Sequence, residues 1–280
     1  MTEFRLLKDR DTEIAREYLD NYHMECTFLI GNLENYGIEN NPFHRRSGDY
    51  YGYFVEDKIK GIFLFTNMGS FVCHYEDDGV LKKIALLKTI KKYKPKYMLG
   101  VSSKMIPLWM MLQKTAKCSK YEECHYMILE KENFNPFIVK NDIVNAKDYE
   151  FFKAIDFLIE VEKAFGRNPK TINELKNTVY DRTNEEEYLY LLENGSIVAQ
   201  GVIQTTTSRI NQIGGVYTVP SSRGKGYAKA VVSKLCTKIL DRDKMPTLIV
   251  AKDNEGAKKA YMDIGFKYYS DYLVIETQVI

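Results

Sequence analysis

Residues 214–228, Gly-Gly-Val-Tyr-Thr-Val-Pro-Ser-Ser-Arg-Gly-Lys-Gly-Tyr-Ala, decide how the rest of the chain is interpreted. The stretch begins with β-branched and aromatic residues, which favour a strand. It ends in glycines, and from Ala228 onward apolar residues recur with the period of a helix that buries one face. A strand, a glycine-rich turn and a helix in this order leave backbone N–H groups at the positive end of the helix dipole. The sequence therefore predicts a phosphate site at this turn.

The spacing within the turn distinguishes among phosphate-binding motifs. The turn lacks the Gly-Lys-Ser/Thr of a P-loop, and Lys229 occupies the third glycine position of a dinucleotide-binding G-x-G-x-x-G. The pattern that it fits is Arg/Gln-x-x-Gly-x-Gly/Ala, with Arg223, Gly226 and Ala228. This pattern resembles the coenzyme A pyrophosphate loop of the GNAT superfamily of N-acetyltransferases.

The following segment supplies a second block of the same kind. Pro246–Ala251 is a short apolar run that predicts a strand. Asn254 then has the position of a helix N-cap, and Gly265 has that of the residue just after a helix. Between them the sequence reads Asn-x-x-Ala-x-x-x-Tyr-x-x-x-Gly-Phe. This block resembles the second signature of the same superfamily in order and spacing.

The resemblance implies a fold class, a co-substrate and a set of binding residues. The fold is α/β (an α+β mixed sheet), arranged as two tandem GNAT-like domains, each a mostly antiparallel sheet flanked by helices. The co-substrate is acetyl-CoA, and no metal is implied. The residues assigned to coenzyme A binding are Tyr217, Thr218, Val219, Arg223, Gly224, Lys225, Gly226, Tyr227, Ala228, Asn254 and Ala257.

In this superfamily a distorted strand separates from its parallel neighbour, and the pantetheine arm lies in the gap. The pair Gly214-Gly215 predicts such a bulge, because glycine inside a strand often marks one. The resemblance then implies that backbone groups of Tyr217 and Val219 pair with the pantetheine. A strand N–H near 216–218 would hold the thioester oxygen as it becomes an oxyanion.

Tyr261 has the position of the superfamily's general acid. A thiol pKa of roughly 8.5 lies below a tyrosine pKa of roughly 10, so the phenol would serve as a hydrogen-bond donor to the leaving sulfur. The alternative for Tyr261 is a core tyrosine, and Asn254 is also interpretable as a helix cap alone. For the general base the strand from Ile210 to Val219 supplies no acid, so the base is either water or an acid elsewhere in the second half, such as Glu186 or Glu187.

Composition indicates a globular protein without a strongly charged surface. The 280 residues allow two domains, with 45% hydrophobic and 28% charged residues. The net charge of +2 gives no argument for nucleic acid or membrane, and the lysine-rich stretch 82–96 is interpreted as a solvated face. No signal-peptide pattern follows Met1 and no apolar run would span a bilayer, so a cytoplasmic location is expected. The five cysteines form no C-x-x-C pair, which favours free thiols over a metal site.

The two halves of the chain repeat the same order of predicted elements. The hairpin at 54–61 aligns with the hairpin at 191–201, which makes an internal duplication plausible. Where the second half has Arg223 and Lys225, the first has the acidic turn 76–79, which would repel a pyrophosphate. We therefore predict a degenerate GNAT-like domain at 1–136 and an acetyltransferase domain that binds acetyl-CoA at 137–280.

The function implied is direct transfer of an acetyl group from acetyl-CoA to the primary amine of a small molecule. A protein or peptide N-acetyltransferase and a coenzyme A sensor without turnover are the alternatives. The expected partner is the small-molecule amine, with no nucleic acid and no membrane, and a homodimer stays open. The sequence does not identify the acceptor.

Overall fold

The computed structural model describes residues 1–113, 115–182 and 186–279, and the chain forms two compact units. The first unit is Met1–Tyr126 together with Tyr269–Ile280, and the second is Met127–Tyr268. These segments differ from the predicted halves, because residues 127–136 pack with the second unit and the last strand completes the first. None of the helices in the described ranges is long and apolar enough to cross a membrane.

The first unit has one mixed sheet with helices packed against it. Its sheet order is β1-β2-β3-β4-β5-β12-β6. Its elements are β1 (Thr2–Leu6), α1 (Thr12–Asp20), α2 (Thr27–Tyr36), β2 (Gly48–Val55), β3 (Lys58–Thr66), β4 (Ser70–Tyr75), α3 (Ile84–Tyr93), β5 (Tyr97–Val101), α4 (Ser102–Leu112), β6 (Ala116–Ile128) and β12 (Lys267–Val279).

The second unit repeats this plan in the order β11-β10-β9-β8-β7. Its elements are β7 (Ile143–Asn145), α5 (Phe151–Ala164), α6 (Ile172–Tyr180), β8 (Tyr188–Glu193), β9 (Ser196–Thr206), β10 (Ile210–Thr218), α7 (Tyr227–Leu240), β11 (Met245–Ala251) and α8 (Glu255–Ile264).

Strand directions follow the same succession in both units. In the first, β1 to β4 pair antiparallel and β5 then joins β4 in parallel. In the second, β7 to β10 pair antiparallel and β11 joins β10 in parallel. The predicted fold class, mixed and mostly antiparallel sheets flanked by helices, is confirmed.

The sheet of the second unit buries a different core on each face. On one face, α7 and α8 pack on a cluster that includes Ile213, Leu248 and Tyr261. On the other, α5 and α6 pack on a cluster that includes Val202 and Tyr217. Since successive strand residues point to opposite faces, these clusters assign each side chain of β10 and β11 to one side of the sheet.

Gly265 gives a prediction about the stability of the second unit. It ends α8 with φ +111°, and a Cβ built on it would lie 2.0 Å from the backbone oxygen of Asn133. We expect Gly265→Ala to lower the free energy of unfolding by about 3 kcal/mol, since both the backbone and its neighbour must shift. Urea unfolding measures this. In the control, Gly256→Ala adds a methyl group with nothing within 4 Å and should stabilise α8 slightly; equal stabilities of the two variants would contradict the prediction.

Candidate active site

Strand β10 is distorted where the glycine pair lies. Its register against β9 passes from Gly214 opposite Val202 to Tyr217 opposite Gln200, so β10 contains one extra residue. Gly215 has φ +56°, in the region that favours glycine. Its carbonyl accepts a 2.8 Å hydrogen bond from Nε2 of Gln200. The predicted bulge is confirmed, and the buried Gln200 amide fixes its position.

Toward the bulge, the pairing between β10 and β11 ends. Their parallel register runs from Ile210 opposite Met245 to Ile213 opposite Leu248, although β10 continues to Thr218 and β11 to Ala251. The ends of two neighbouring parallel strands therefore border an opening in the sheet.

The hydrogen-bond alternation of β10 shows which backbone groups face this opening. The N–H of Val219 donates to the carbonyl of Val198 on β9 at 2.9 Å. In an antiparallel pair the preceding residue, Thr218, then directs its own N–H and carbonyl away from β9. Val216, two residues before Thr218, directs its backbone groups to the same side. Backbone pairing with pantetheine stays a prediction, but the groups placed for it belong to Val216 and Thr218 rather than to Tyr217 and Val219.

Thr218, at the end of β10, has two further features. Its carbonyl accepts a 3.2 Å hydrogen bond from Nε of Arg223, so the arginine folds back over the end of the strand. Its hydroxyl oxygen is buried and has no hydrogen-bond partner among the described residues. An orphaned hydroxyl of this kind is expected where a ligand or water supplies the missing bond.

The glycine turn gives α7 an N-cap residue that has no side chain. Gly224 and Gly226 have φ +79° and +80°, and Gly226 is the N-cap residue of α7. A Cβ on Gly226 would lie 2.7 Å from the ring of Phe137. Glycine is therefore required here, and the N–H groups of Tyr227 and Ala228 lie in the first turn of a helix whose dipole favours an anion.

Glu193, at the end of β8, binds three side chains of this turn. Its carboxylate accepts hydrogen bonds from Lys225 at 2.8 Å, from Tyr227 at 2.5 Å and from Ser222 at 3.2 Å. Lys225, and then Tyr227, hold the pKa of Glu193 below its ordinary value. Lys225, predicted to attract the pyrophosphate, is thus engaged by a carboxylate, and an anion at the turn must compete with Glu193 for it.

Tyr217 points to the face of the sheet that α5 and α6 cover. Its hydroxyl donates to Oε1 of Glu160 on α5 at 2.7 Å. Burial, followed by the bond to Glu160, raises the pKa of Tyr217 to about 12, and nearby Arg223 opposes the shift. A carboxylate from α5 and the guanidinium of the turn therefore meet at one side chain of β10.

Helix α8 carries the other predicted residues. Oδ1 of Asn254 accepts a 3.1 Å hydrogen bond from the N–H of Ala257, so Asn254 caps the helix as expected. Tyr261 is 7% exposed and packs in the cluster that contains Leu248 and Val250 of β11. Burial, with a smaller contribution from Cys236, raises the pKa of Tyr261, so its phenol keeps its proton. The roles of these residues in coenzyme A binding and catalysis stay predictions.

The two acids considered for the general base lie together before β8, and their role stays a prediction. Glu187 bonds Arg242 at 2.8 Å and Lys238 at 3.2 Å, near the C-terminal end of α7. Since α7 has 14 residues, that end lies roughly 20 Å from the glycine turn. Glu186, next to Glu187, is also buried. Glu160 is an acid that contacts β10, through the hydroxyl of Tyr217.

A cleft of about 600 Å³ lies beside the end of β10. Its walls include Lys153, Asp156 and Glu160 on α5, the β8–β9 turn at 194–197, and Val219. Two carboxylates against one lysine give these walls a net negative charge, which favours a positively charged ligand. No group of side chains in the described ranges could hold a metal ion.

Sequence reasoning missed Glu160 and Glu193 for different reasons. Glu160 lies 57 positions before Tyr217, in a helix whose pattern shows only which face is buried. Glu193 belongs to a hairpin turn, where an acid is ordinary.

The turn at 76–79 of the first unit differs from the glycine turn, because Asp77 there accepts a 2.7 Å hydrogen bond from the N–H of Gly79. Its own carboxylate thus caps the backbone that a phosphate would need.

The bulge, the opening between parallel strands and the glycine turn before a helix together define the GNAT acetyltransferase fold, and the predicted resemblance is confirmed. Within this fold, residues 195–275 match the family model described as FR47-like protein. No curated protein sequence matches the chain.

Solved structures resemble the chain over nearly its whole length. A Drosophila protein has a TM-score of 0.72 at 12% identity and covers 98% of each chain. A GCN5-related N-acetyltransferase from Sphaerobacter thermophilus has a TM-score of 0.63 at 16% identity, covering 99% of this chain and 95% of its own. A tandem GNAT protein from the clavulanic acid biosynthesis pathway has a TM-score of 0.60 at 11% identity, covering 100% and 98%. At these identities the likeness concerns the fold.

Proposed function

We propose that the protein is an N-acetyltransferase that moves an acetyl group from acetyl-CoA directly to the primary amine of a small molecule. One observation carries the proposal: the opening between β10 and β11 ends at a glycine turn that leads into α7. An extended thiol with a diphosphate at its far end matches both parts. The pantetheine would lie along Val216 and Thr218, and the diphosphate would bind at Gly224 to Ala228.

The residues present fit coenzyme A on three independent grounds. Thr218, the last residue of β10, has a buried hydroxyl without a partner among the described residues. Gly226 has no side chain that would fill the start of α7. Arg223 supplies a positive charge close to the strand end. In the first unit Asp77 caps the corresponding turn, which supports one coenzyme A site per chain, in the second unit.

The reaction joins the amine nitrogen to the acetyl carbon and breaks the carbon–sulfur bond. The nitrogen loses a proton and the thiolate gains one. A backbone N–H of β10 at the bulge would donate to the thioester oxygen as its charge develops. Tyr261, kept protonated by burial, would donate to the leaving sulfur. Glu160, at the wall of the cleft beside β10, would accept the proton from the amine.

A screen of amines tests the function as a whole. The intact protein is mixed with acetyl-CoA and a panel of small primary amines and short peptides, and thiol release is followed. Release with small amines supports the proposal, and release with peptides alone supports a peptide acetyltransferase. Calorimetry that shows one acetyl-CoA site without release for any amine would instead support a sensor.

Glu160→Gln tests the proposed base. We expect turnover to fall about 10²-fold or more, the usual loss for a positioned base, with acetyl-CoA affinity within about twofold of the original. The rate of the variant should continue to rise toward high pH, because it reacts only with amine that solvent has already deprotonated. The control is Glu150→Gln, since Glu150 precedes the same helix and pairs with exposed Lys153. Equal turnover in the two variants would remove Glu160 from the mechanism.

A further inference from the structure

Two buried polar side chains lie side by side where β10 and β11 begin to separate. Gln212 and Thr247 are opposite each other in the parallel register, one residue before its end. They are 1% and 0% exposed. Oε1 of Gln212 and Oγ1 of Thr247 are buried and have no hydrogen-bond partner anywhere in the described ranges.

Strand alternation assigns this pair to one face of the sheet. The next register pair, Ile213 and Leu248, belongs to the core under α7 and α8. Gln212 and Thr247 therefore point to the opposite face. Gly214 faces the same way, because it lies opposite Val202, a member of the core under α5 and α6.

Unpaired oxygens at full burial lower the stability of a protein, and apolar side chains of the same shape avoid that loss. Valine has the shape of threonine, and leucine or methionine fills most of the space of glutamine. A buried polar pair at such a position calls for a partner, either internal water or a polar group of a bound molecule. The pair lies two residues along β10 from the bulge, which corresponds to roughly 7 Å.

We propose that Gln212 and Thr247 bind a second polar group of the acceptor, so that the substrate is a small amine with a hydroxyl or amino group at its other end. This inference rests on the proposed function, which places the reacting amine at the bulge. The oxygens of Gln212 and Thr247 accept hydrogen bonds, and a hydroxyl or ammonium group donates them. A substrate of this class spans the distance from the bulge to the pair with a short aliphatic chain.

Such a pair makes the enzyme selective against amines with an apolar tail. A methyl group in place of the hydroxyl would leave both buried oxygens unpaired in the complex, and a site built to bond a hydroxyl rejects such analogues strongly. Aminobutanol and n-pentylamine form a matched pair of probes, since they differ only by a terminal hydroxyl or methyl group. We expect the intact protein to prefer aminobutanol by about 100-fold or more in kcat/KM.

Thr247→Val and Gln212→Leu test the residues. Each variant should reduce the preference for aminobutanol over n-pentylamine at least tenfold, with acetyl-CoA affinity within about twofold of the original. The melting temperature should stay the same or rise, because a buried unpaired oxygen is removed. Asn211→Leu is the matched control: Asn211 is 0% exposed and its amide atoms are unpaired within the described part of the chain, but it points to the opposite face. The Asn211→Leu variant should keep the preference of the original protein for aminobutanol.

The outcomes separate this inference from the proposed function. An unchanged preference for aminobutanol in Thr247→Val and Gln212→Leu would overturn the inference. If the melting temperature of these variants also fell, the pair would be a site for internal water. A protein that acetylates n-pentylamine as well as aminobutanol would also overturn it, while leaving the proposed function standing. Thiol release with no amine at all would overturn both.

Discussion

Tyr261→Phe is expected to lower the turnover of acetyl-CoA and amine about 10²-fold or more, while the affinity for acetyl-CoA stays within a few-fold. The substitution removes one oxygen and leaves the ring in its place beside Phe266, where the ring centroids are 6.1 Å apart. Burial raises the pKa of Tyr261, so in the proposed role the phenol would stay protonated and able to donate a hydrogen bond to the leaving thiolate. That bond would form only as the sulfur departs, and its loss would therefore lower kcat rather than binding.

The alternative role of Tyr261, as a core residue, predicts a different pair of results. The rate would be unchanged and the melting temperature would fall. Tyr50→Phe provides the comparison, because Tyr50 is a buried tyrosine of the first unit whose hydroxyl donates to the carbonyl of Leu29 at 2.8 Å. Tyr50→Phe should cost stability and keep the rate. If Tyr261→Phe behaves in the same way, Tyr261 has no catalytic role.

Arg223→Glu is expected to weaken acetyl-CoA binding about 10²-fold. The change replaces a positive charge by a negative one beside the predicted diphosphate, and each close pair of unit charges contributes about 1 kcal/mol or more. It also removes the bond from Nε of Arg223 to the carbonyl of Thr218, which ties the turn to the strand. Calorimetry measures the dissociation constant, and the effect should shrink as salt is added, because the turn is exposed to solvent.

Arg16→Glu is the matched control for Arg223→Glu. It alters the net charge of the protein by the same amount, but Arg16 is an exposed residue of α1 in the first unit. Binding should be unchanged by this control. A dissociation constant that is also unchanged by Arg223→Glu would mean that the diphosphate does not bind at this turn.

Local signals in the sequence predicted the parts of the site that depend on single residues. Gly224 and Gly226 have the backbone conformations that only glycine adopts easily. Asn254 caps α8, and Gly265 ends it with φ +111°. The glycine pair in β10 marks the bulge. Each of these features follows from the conformational preference of one residue and its immediate neighbours, so the local sequence was sufficient to predict it.

Features that depend on register or on distant partners did not follow from the pattern. The extra residue in β10 decides that Thr218, rather than Val219, turns its backbone groups away from β9, because a one-residue shift reverses the direction of every following group. The last strand also completes the sheet of the first unit by pairing with β5, which no local signal indicates.

By itself, then, the sequence determined the fold class, the glycine turn before α7 and the cap of α8, because each depends on interactions between residues close together in the chain. Only the tertiary structure decided which acids and amides meet at the opening. It brings Glu160 to Tyr217 and Glu193 to Lys225 across 57 and 32 positions, and it leaves Gln212 and Thr247 adjacent and unpaired within the described residues. Contacts of this kind arise from the packing of helices on the sheet, and sequence periodicity shows which face is buried without showing what that face contacts.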